Sequence, residues 1–388
     1  MPRRSHSFAD MKLHIILIGL LFAWIAGCGG GGVGEGGTGS FSSGPISGFG
    51  SVIVNGVRFD ETSATISDDD GAVRRRDELR LGMVVAIDST RIDAASASAA
   101  ARSIRIGSEI VGPVTSVDAG GGSFTVFGLT VRVIADTIFD ERLAGGIAAL
   151  RAGDVIEVYG FFDRSRRMFI ATRVELRPVG TAIFKLRAPL EAIDNGAGTI
   201  TLGGQSISTA GIALPSGLSP GVIVRVRAQL LDAGLVATRV EIAALQVADR
   251  DDVRVEGRIT SFTSSRSFAV DGLPVDARNA AFPDGEAGVV LGARIEVEGA
   301  VAGGPLVAAK VEIEDATPEF RLRGAIGSLD TAARTFVVRG VTVRYALSVR
   351  IDPSGSEADL ANGRDVEVRG IPFDGGTRLL AVRIILDP

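Results

Sequence analysis

The chain has 388 residues, of which 51 are glycine, 5% are aromatic and 22% are charged. Glycine at about twice its usual share favours turn-rich β-structure over helical bundles. A formal charge of −5 lacks the basic excess of a phosphate-neutralising surface, so nucleic acid is not expected as a partner.

Residues Ile15 to Ala26 form an apolar run behind Lys12, Arg3 and Arg4. This reads as a signal peptide over residues 1–27, too short for a permanent transmembrane helix. Ile25-Ala26-Gly27-Cys28 closes it, and Cys28 is the only cysteine in the chain. The tetrad resembles the bacterial lipobox, in which cleavage after Gly27 leaves a cysteine that carries diacylglycerol. An exported protein, lipid-anchored to the cell envelope through Cys28, is expected. Gly29, where some lipoproteins carry Asp, resembles the signal for delivery to the outer membrane. Arg3-Arg4 fits a twin-arginine signal poorly because Ser5-His6-Ser7 follows, and Met11 is as good a start as Met1. Residues 29 to 44 are a Gly/Ser tract that cannot bury a core, so 28–44 is expected to be the lipidated cysteine and a flexible tether.

Both histidines, His6 and His14, and the sole tryptophan, Trp24, fall in the segment that processing removes. The mature chain then lacks the residues for Ser-His-Asp and Cys-His catalysis and for histidine-bound metals. Gly217-Leu218-Ser219-Pro220-Gly221 mimics a nucleophile elbow, but without histidine it reads as a turn. No Gly-Lys pair offers a phosphate loop, and Gly48-Phe49-Gly50 lacks the third glycine of a dinucleotide fingerprint. Asp68-Asp69-Asp70-Gly71 falls short of a calcium loop because Ile66 stands where the first carboxylate is needed. With Arg74-Arg75-Arg76 it reads as a solvated, self-neutralising loop. No catalytic residue, metal or cofactor is expected, although a carboxylate pair for glycoside hydrolysis needs only to meet in space.

The pattern Leu/Val-x-x-Gly-x-x-(Val/Ile)-x-(Val/Ile) recurs at Gly82, Gly153, Gly221, Gly292 and Gly363, and a second glycine recurs at Gly56, Gly128, Gly204, Gly272 and Gly340. Five repeats follow, over 45–110, 111–179, 180–247, 248–316 and 317–388. Each reads as a short strand, a hairpin, a variable link that is helix-like at Glu141 to Leu150 and Glu357 to Ala361, and two more strands. Asn55-Gly56 and Asp271-Gly272 are two-residue turn signals. The fourth strand places Val85/Ile87, Ile156/Val158, Val224/Val226, Ile295/Val297 and Val366/Val368 toward a core. The last strand repeats the alternation, with Glu175, Glu241 and Glu312 outward as solubilising groups. Five strands with the link after the third is the order of an OB-like barrel. The expected fold is therefore all-β, five tandem small barrels of about 70 residues each that pack on one another because each core alone is marginal; a sandwich of strands from neighbouring repeats is the rival.

The string Ile46-Ser47-Gly48-Phe49-Gly50-Ser51-Val52-Ile53-Val54-Asn55-Gly56-Val57-Arg58-Phe59-Asp60, with Leu81-Gly82-Met83-Val84-Val85 downstream, resembles the bacterial envelope family called domain of unknown function 5666. The first repeat carries the clearest match. The resemblance implies tandem copies behind a lipoprotein signal and supplies no activity. Repetition without a repeated reactive residue points to a non-enzymatic array that binds or scaffolds envelope glycan or protein. The alternative is a carboxylate-dependent enzyme acting on polysaccharide. Single-strand nucleic acid binding would call on Phe49, Phe59, Phe127, Tyr159, Phe161 and Phe162 for stacking, and the negative charge disfavours it.

Overall fold

The computed structural model describes residues 37–232, 234–314, 319–353 and 355–387. The expected signal peptide, the Gly27-Cys28 cleavage site and residues 29–36 lie outside them. Every repeat closes into its own five-stranded barrel. In barrel 2 the strands are Ile110–Asp118, Ser123–Val126, Leu129–Phe139, Val155–Asp163 and Met168–Leu176. The first pairs with the second and fourth, the second with the third and the fourth with the fifth, all antiparallel, and the third and fifth close the circuit in parallel. This is the small Greek-key barrel of OB type that the strand order predicts. Barrel 3 (Phe184–Asp194 to Gly234–Ile242), barrel 4 (Arg250–Ser264 to Leu306–Ile313) and barrel 5 (Phe320–Ala325 to Arg378–Leu386) close in the same way. Barrel 1 runs from Gly37–Pro45 to Ser98–Gly107.

Two repeated features of the sequence build this circuit. All ten inward positions of the fourth strands, Val85 to Val368, are at most 1% exposed, so the inward half of the expected alternation is met in every barrel; in barrel 2 the outward Glu157 and Tyr159 are buried as well. The hairpins turn on two residues of positive φ: Asn55 (50°) and Gly56 (71°) in barrel 1, Asp271 (50°) and Gly272 (81°) in barrel 4. A turn of that hand matches the twist of the flanking strands. Phe127-Gly128 and Arg339-Gly340 adopt the same geometry, although neither Phe nor Arg announces it.

The tether expectation is corrected at its C-terminal half. Gly37–Pro45 is the first strand of barrel 1, running antiparallel to Val84–Ser89 and parallel to Arg250–Ser264 of barrel 4. Its serines suit a strand held between two neighbours. Ser40 and Ser42 are fully buried, and Ser40 Oγ donates to Asp252 at 2.8 Å while accepting from the Ile92 amide at 3.0 Å. Phe41, 4% exposed, packs into the core of barrel 4. The helix-like links are also corrected: among the described residues each holds a single 3-10 turn, Gly146–Ala149 and Glu357–Asp359. Gly145 (φ 94°) and Gly146 (φ 63°) interrupt the first, and so short a segment cannot sustain an α-helix.

The barrels cluster rather than string out. Barrels 2 and 3 join through the pairing of Lys185 and Leu186 with Val111 and Ile110, whereas barrel 1 joins barrels 4 and 5 through parallel strand pairs. Barrel 2 also touches barrel 1, with Thr172 Oγ1 donating to the Gly82 carbonyl at 2.6 Å. It meets barrel 4 through Arg164 and the Thr260 carbonyl at 3.0 Å, and barrel 5 through the Phe139 amide and the Gly376 carbonyl at 3.0 Å. A side chain at Gly82 would collide with the Thr172 carbonyl, so this repeated glycine serves both its own turn and the seam with barrel 2.

Candidate functional site

Clustering leaves a cleft of about 1090 Å³ between barrels 1, 2, 3 and 5, at the upper end of the volumes that hold small-molecule ligands. Its construction follows from strand alternation. On the fourth strand of barrel 2, Ile156 and Val158 point into the barrel, so Glu157 and Tyr159 face out and form the cleft wall. Arg173 and Glu175 follow the same rule on the fifth strand, and Arg177 comes directly after its end. The link of barrel 1 supplies residues 68 to 81, barrel 3 supplies Lys185 and Arg227, and the hairpin Arg339-Gly340-Val341 with Gly376 to Leu379 supplies the barrel 5 side.

Ten carboxylates and ten cations line the cleft, yet the two sets are not equally engaged. Asp69 is buried between barrels 1 and 3, its oxygens 3.0 Å from Lys185, 3.2 Å from Arg225 and 3.3 Å from Arg227. Burial alone would raise its ionisation, but Lys185, then Arg225 and Arg227, outweigh it and hold the carboxyl below the ordinary value. Asp68 pairs with Arg74 and Asp140 with Arg142. Glu157 accepts from Ser108 Oγ at 2.5 Å and from Arg177 at 3.2 Å. Arg173, 6% exposed, donates to Glu175 at 2.6 Å and to the Leu81 carbonyl at 3.1 Å. By contrast Arg76, Arg80 and Arg339 have no carboxylate at ion-pair distance among the described residues; Arg80 donates to the Leu79 carbonyl at 2.9 Å and Arg339 to the Arg323 carbonyl at 3.0 Å. Tyr159 is 4% exposed, and its hydroxyl has no hydrogen-bond partner among the described residues. Burial, then Glu157 and Glu175, pushes its ionisation well above 10, so it stands as a neutral donor. Arg177 Nε is buried without a partner.

The residues singled out from sequence are placed as follows. Gly27 and Cys28 lie outside the described residues. Ser219 sits in a turn between strands, flanked by Gly217 and Gly221 of positive φ. The six stacking candidates, Phe49, Phe59, Phe127, Tyr159, Phe161 and Phe162, are all at most 9% exposed, core residues rather than a surface platform, and of these only Phe49 and Tyr159 reach the cleft. The acidic loop is half as expected. Arg74 does neutralise Asp68, but Asp69 crosses to barrel 3 rather than facing solvent. Lys185 and Arg173 carried no sequence signal, because Asp69 and the Leu81 carbonyl that they reach are remote in the chain; of the three rim arginines only Arg76 stood in a motif read from the sequence.

A family model described as "Domain of unknown function (DUF5666)" matches residues 111–175, 187–241, 256–312 and 323–385. The chain belongs to this family. The four DUF5666 copies are barrels 2 to 5, and the match does not extend to barrel 1, where the Gly48-Phe49-Gly50-Ser51 string suggested the clearest likeness. Barrel 1 nonetheless closes the same circuit as the DUF5666 copies. A solved structure described as "drosophila Unr CSD456" is 11% identical, with 72% of this chain and 97% of that chain covered, at a TM-score of 0.13. No curated protein matches.

Proposed function

We propose that this DUF5666 protein is a non-enzymatic, lipid-anchored component of the cell envelope whose clustered barrels bind or scaffold an envelope glycan or protein. The observation that carries the reading is the composite cleft: four barrels contribute to a single cavity of about 1090 Å³, a shape suited to holding a ligand. Its carboxylates are mostly engaged by arginine or lysine. The acids whose ionisation burial raises lie elsewhere: Glu109, pushed up to about 7 with Arg187 opposing, and Glu296, pushed up to about 8, stand in joints between barrels. A glycosidase would need such a proton donor at its cleft.

The anchor is Cys28, with delivery to the outer membrane proposed from Gly29. Because only eight residues lie between Cys28 and the first strand at Gly37, the folded cluster would stand within about 30 Å of a lipid on Cys28. The test is to immobilise the mature protein, pass over it solubilised envelope glycans and proteins, and assay the same fractions for turnover. Saturable retention without turnover is expected, and sustained glycan cleavage that vanishes on replacing one Asp/Glu pair would replace this reading with the carboxylate enzyme.

A further inference from the structure

Formal neutrality conceals the character of the cleft. Coulomb attraction, which favours an incoming ion, is largely cancelled where a charge already has a partner a few ångströms away. What a ligand meets is therefore the unengaged set, and here that set is basic. Arg76, Arg80 and Arg339 have no ion-pair partner among the described residues, whereas most of the facing carboxylates are held by arginine or lysine. Of the two acids that no cation holds, Glu61 is 5% exposed and accepts from the Val52 amide at 3.2 Å, leaving Glu141. At the wall, Tyr159 offers a hydroxyl that no hydrogen bond among the described residues occupies, and Arg177 a buried Nε without a partner. A buried donor left unsatisfied costs free energy that an acceptor on a ligand recovers.

Resting on the reading of the cleft as a binding site, we propose that its ligand is an acidic oligosaccharide. Its anionic substituents would meet Arg76, Arg80 and Arg339, and a ring or hydroxyl oxygen would accept from Tyr159. Two features favour this chemistry. The cavity exceeds what a lone anion fills. The engaged pairs along its walls alternate donors and acceptors, as polyhydroxylated rings require. Uronate carboxylates and phosphate esters share the chemistry that the arginines recognise.

The test uses the full mature chain and three labelled probes: oligogalacturonate, the same oligomer with its carboxylates reduced to alcohols, and phosphorylated dextran. Binding of at least one anionic probe, weakened by added salt and absent for the reduced oligomer, is expected. The triple variant Arg76→Ala/Arg80→Ala/Arg339→Ala should bind at least about tenfold more weakly with unchanged thermal stability, since three charge-assisted contacts are lost at exposed positions. Tyr159→Phe should weaken binding severalfold while retaining the salt dependence. Relative affinity for the two anionic probes separates carboxylate from phosphate recognition. Equal affinity of the triple variant, or binding of the reduced oligomer as tight as that of its parent, overturns the acidic ligand. In the second case the cleft reading survives if Tyr159→Phe weakens binding. No binding of any probe by a folded wild-type chain overturns the glycan proposal and leaves an envelope protein as the partner to test.

Discussion

Where barrel 3 meets barrel 1, one buried carboxylate, Asp69, faces three cations. Where barrel 4 turns toward barrels 1 and 2, the proportions are reversed. Glu256 lies directly across from Glu296, which lies across from Glu312 on the next strand. Asp136, Glu256, Glu296 and Glu314 then line a cavity of about 180 Å³ with Arg294 as its cation. Arg294 holds Glu256 at 2.5 Å and Asp136 at 3.6 Å, while Arg254 and Lys310 are drawn to Glu298. Like charges directly opposite in a sheet destabilise it. Burial, then Glu256, Glu314 and Glu298, therefore pushes Glu296 up to about 8, with Arg254 opposing. Barrels of one fold thus make joints that answer pH in opposite directions. Asp69, held below its ordinary 3.8, contributes stability that is present above that value and lost as pH falls below it. Glu296 contributes stability that is complete below its unfolded value of 4.5 and lost as pH rises through about 8.

The largest break in this contrast is Asp69→Ala, which leaves Lys185, Arg225 and Arg227 short of their shared partner. It should lower the unfolding free energy at pH 7 by about 3–5 kcal/mol, measured by urea denaturation, and a loss under about 1 kcal/mol would show that Asp70 and Glu241 suffice to hold the cations. Glu296→Gln should act in the other direction and only at high pH. At pH 9 it should stabilise the chain by about 2 kcal/mol, and at pH 5 the variant and the parent should coincide. A gain of equal size at both values would assign the effect to packing rather than charge. The smallest effect is expected at Asp77, which pairs with Arg75 in the open at 2.6 Å. Asp77→Ala should leave the melting temperature unchanged between pH 5 and 9, since an exposed pair is screened by water and salt.

Much of the barrel was legible because its signals are local. Alternation at Val85/Ile87 and its four counterparts marks a strand whichever barrel surrounds it, and the recurring glycines mark turns of fixed hand. The first strand was not legible. Ser40, Ser42 and Ser43 are buried by neighbours on both sides, and the partner strand at Arg250–Ser264 lies more than 200 residues away, so the Gly/Ser composition pointed to a tether. The cleft was hidden for the same reason. Arg173 and Glu157 resemble solubilising outward residues until barrels 1, 3 and 5 close over them, and the meaning of Asp69 depends on Lys185, which is 116 residues away. The link at Glu141 to Leu150 shows the opposite failure, in which a helix-like composition was overruled by two adjacent glycines.

The placement of Gly37–Pro45 also has a mechanical meaning. The strand is flanked by an antiparallel ladder to barrel 1 and a parallel ladder to barrel 4. Tension applied to the chain ahead of Gly37 therefore runs along the strand and loads both ladders in shear. Their hydrogen bonds must yield together instead of peeling one after another, so a strand of serines and glycines resists a pull on its N-terminal end.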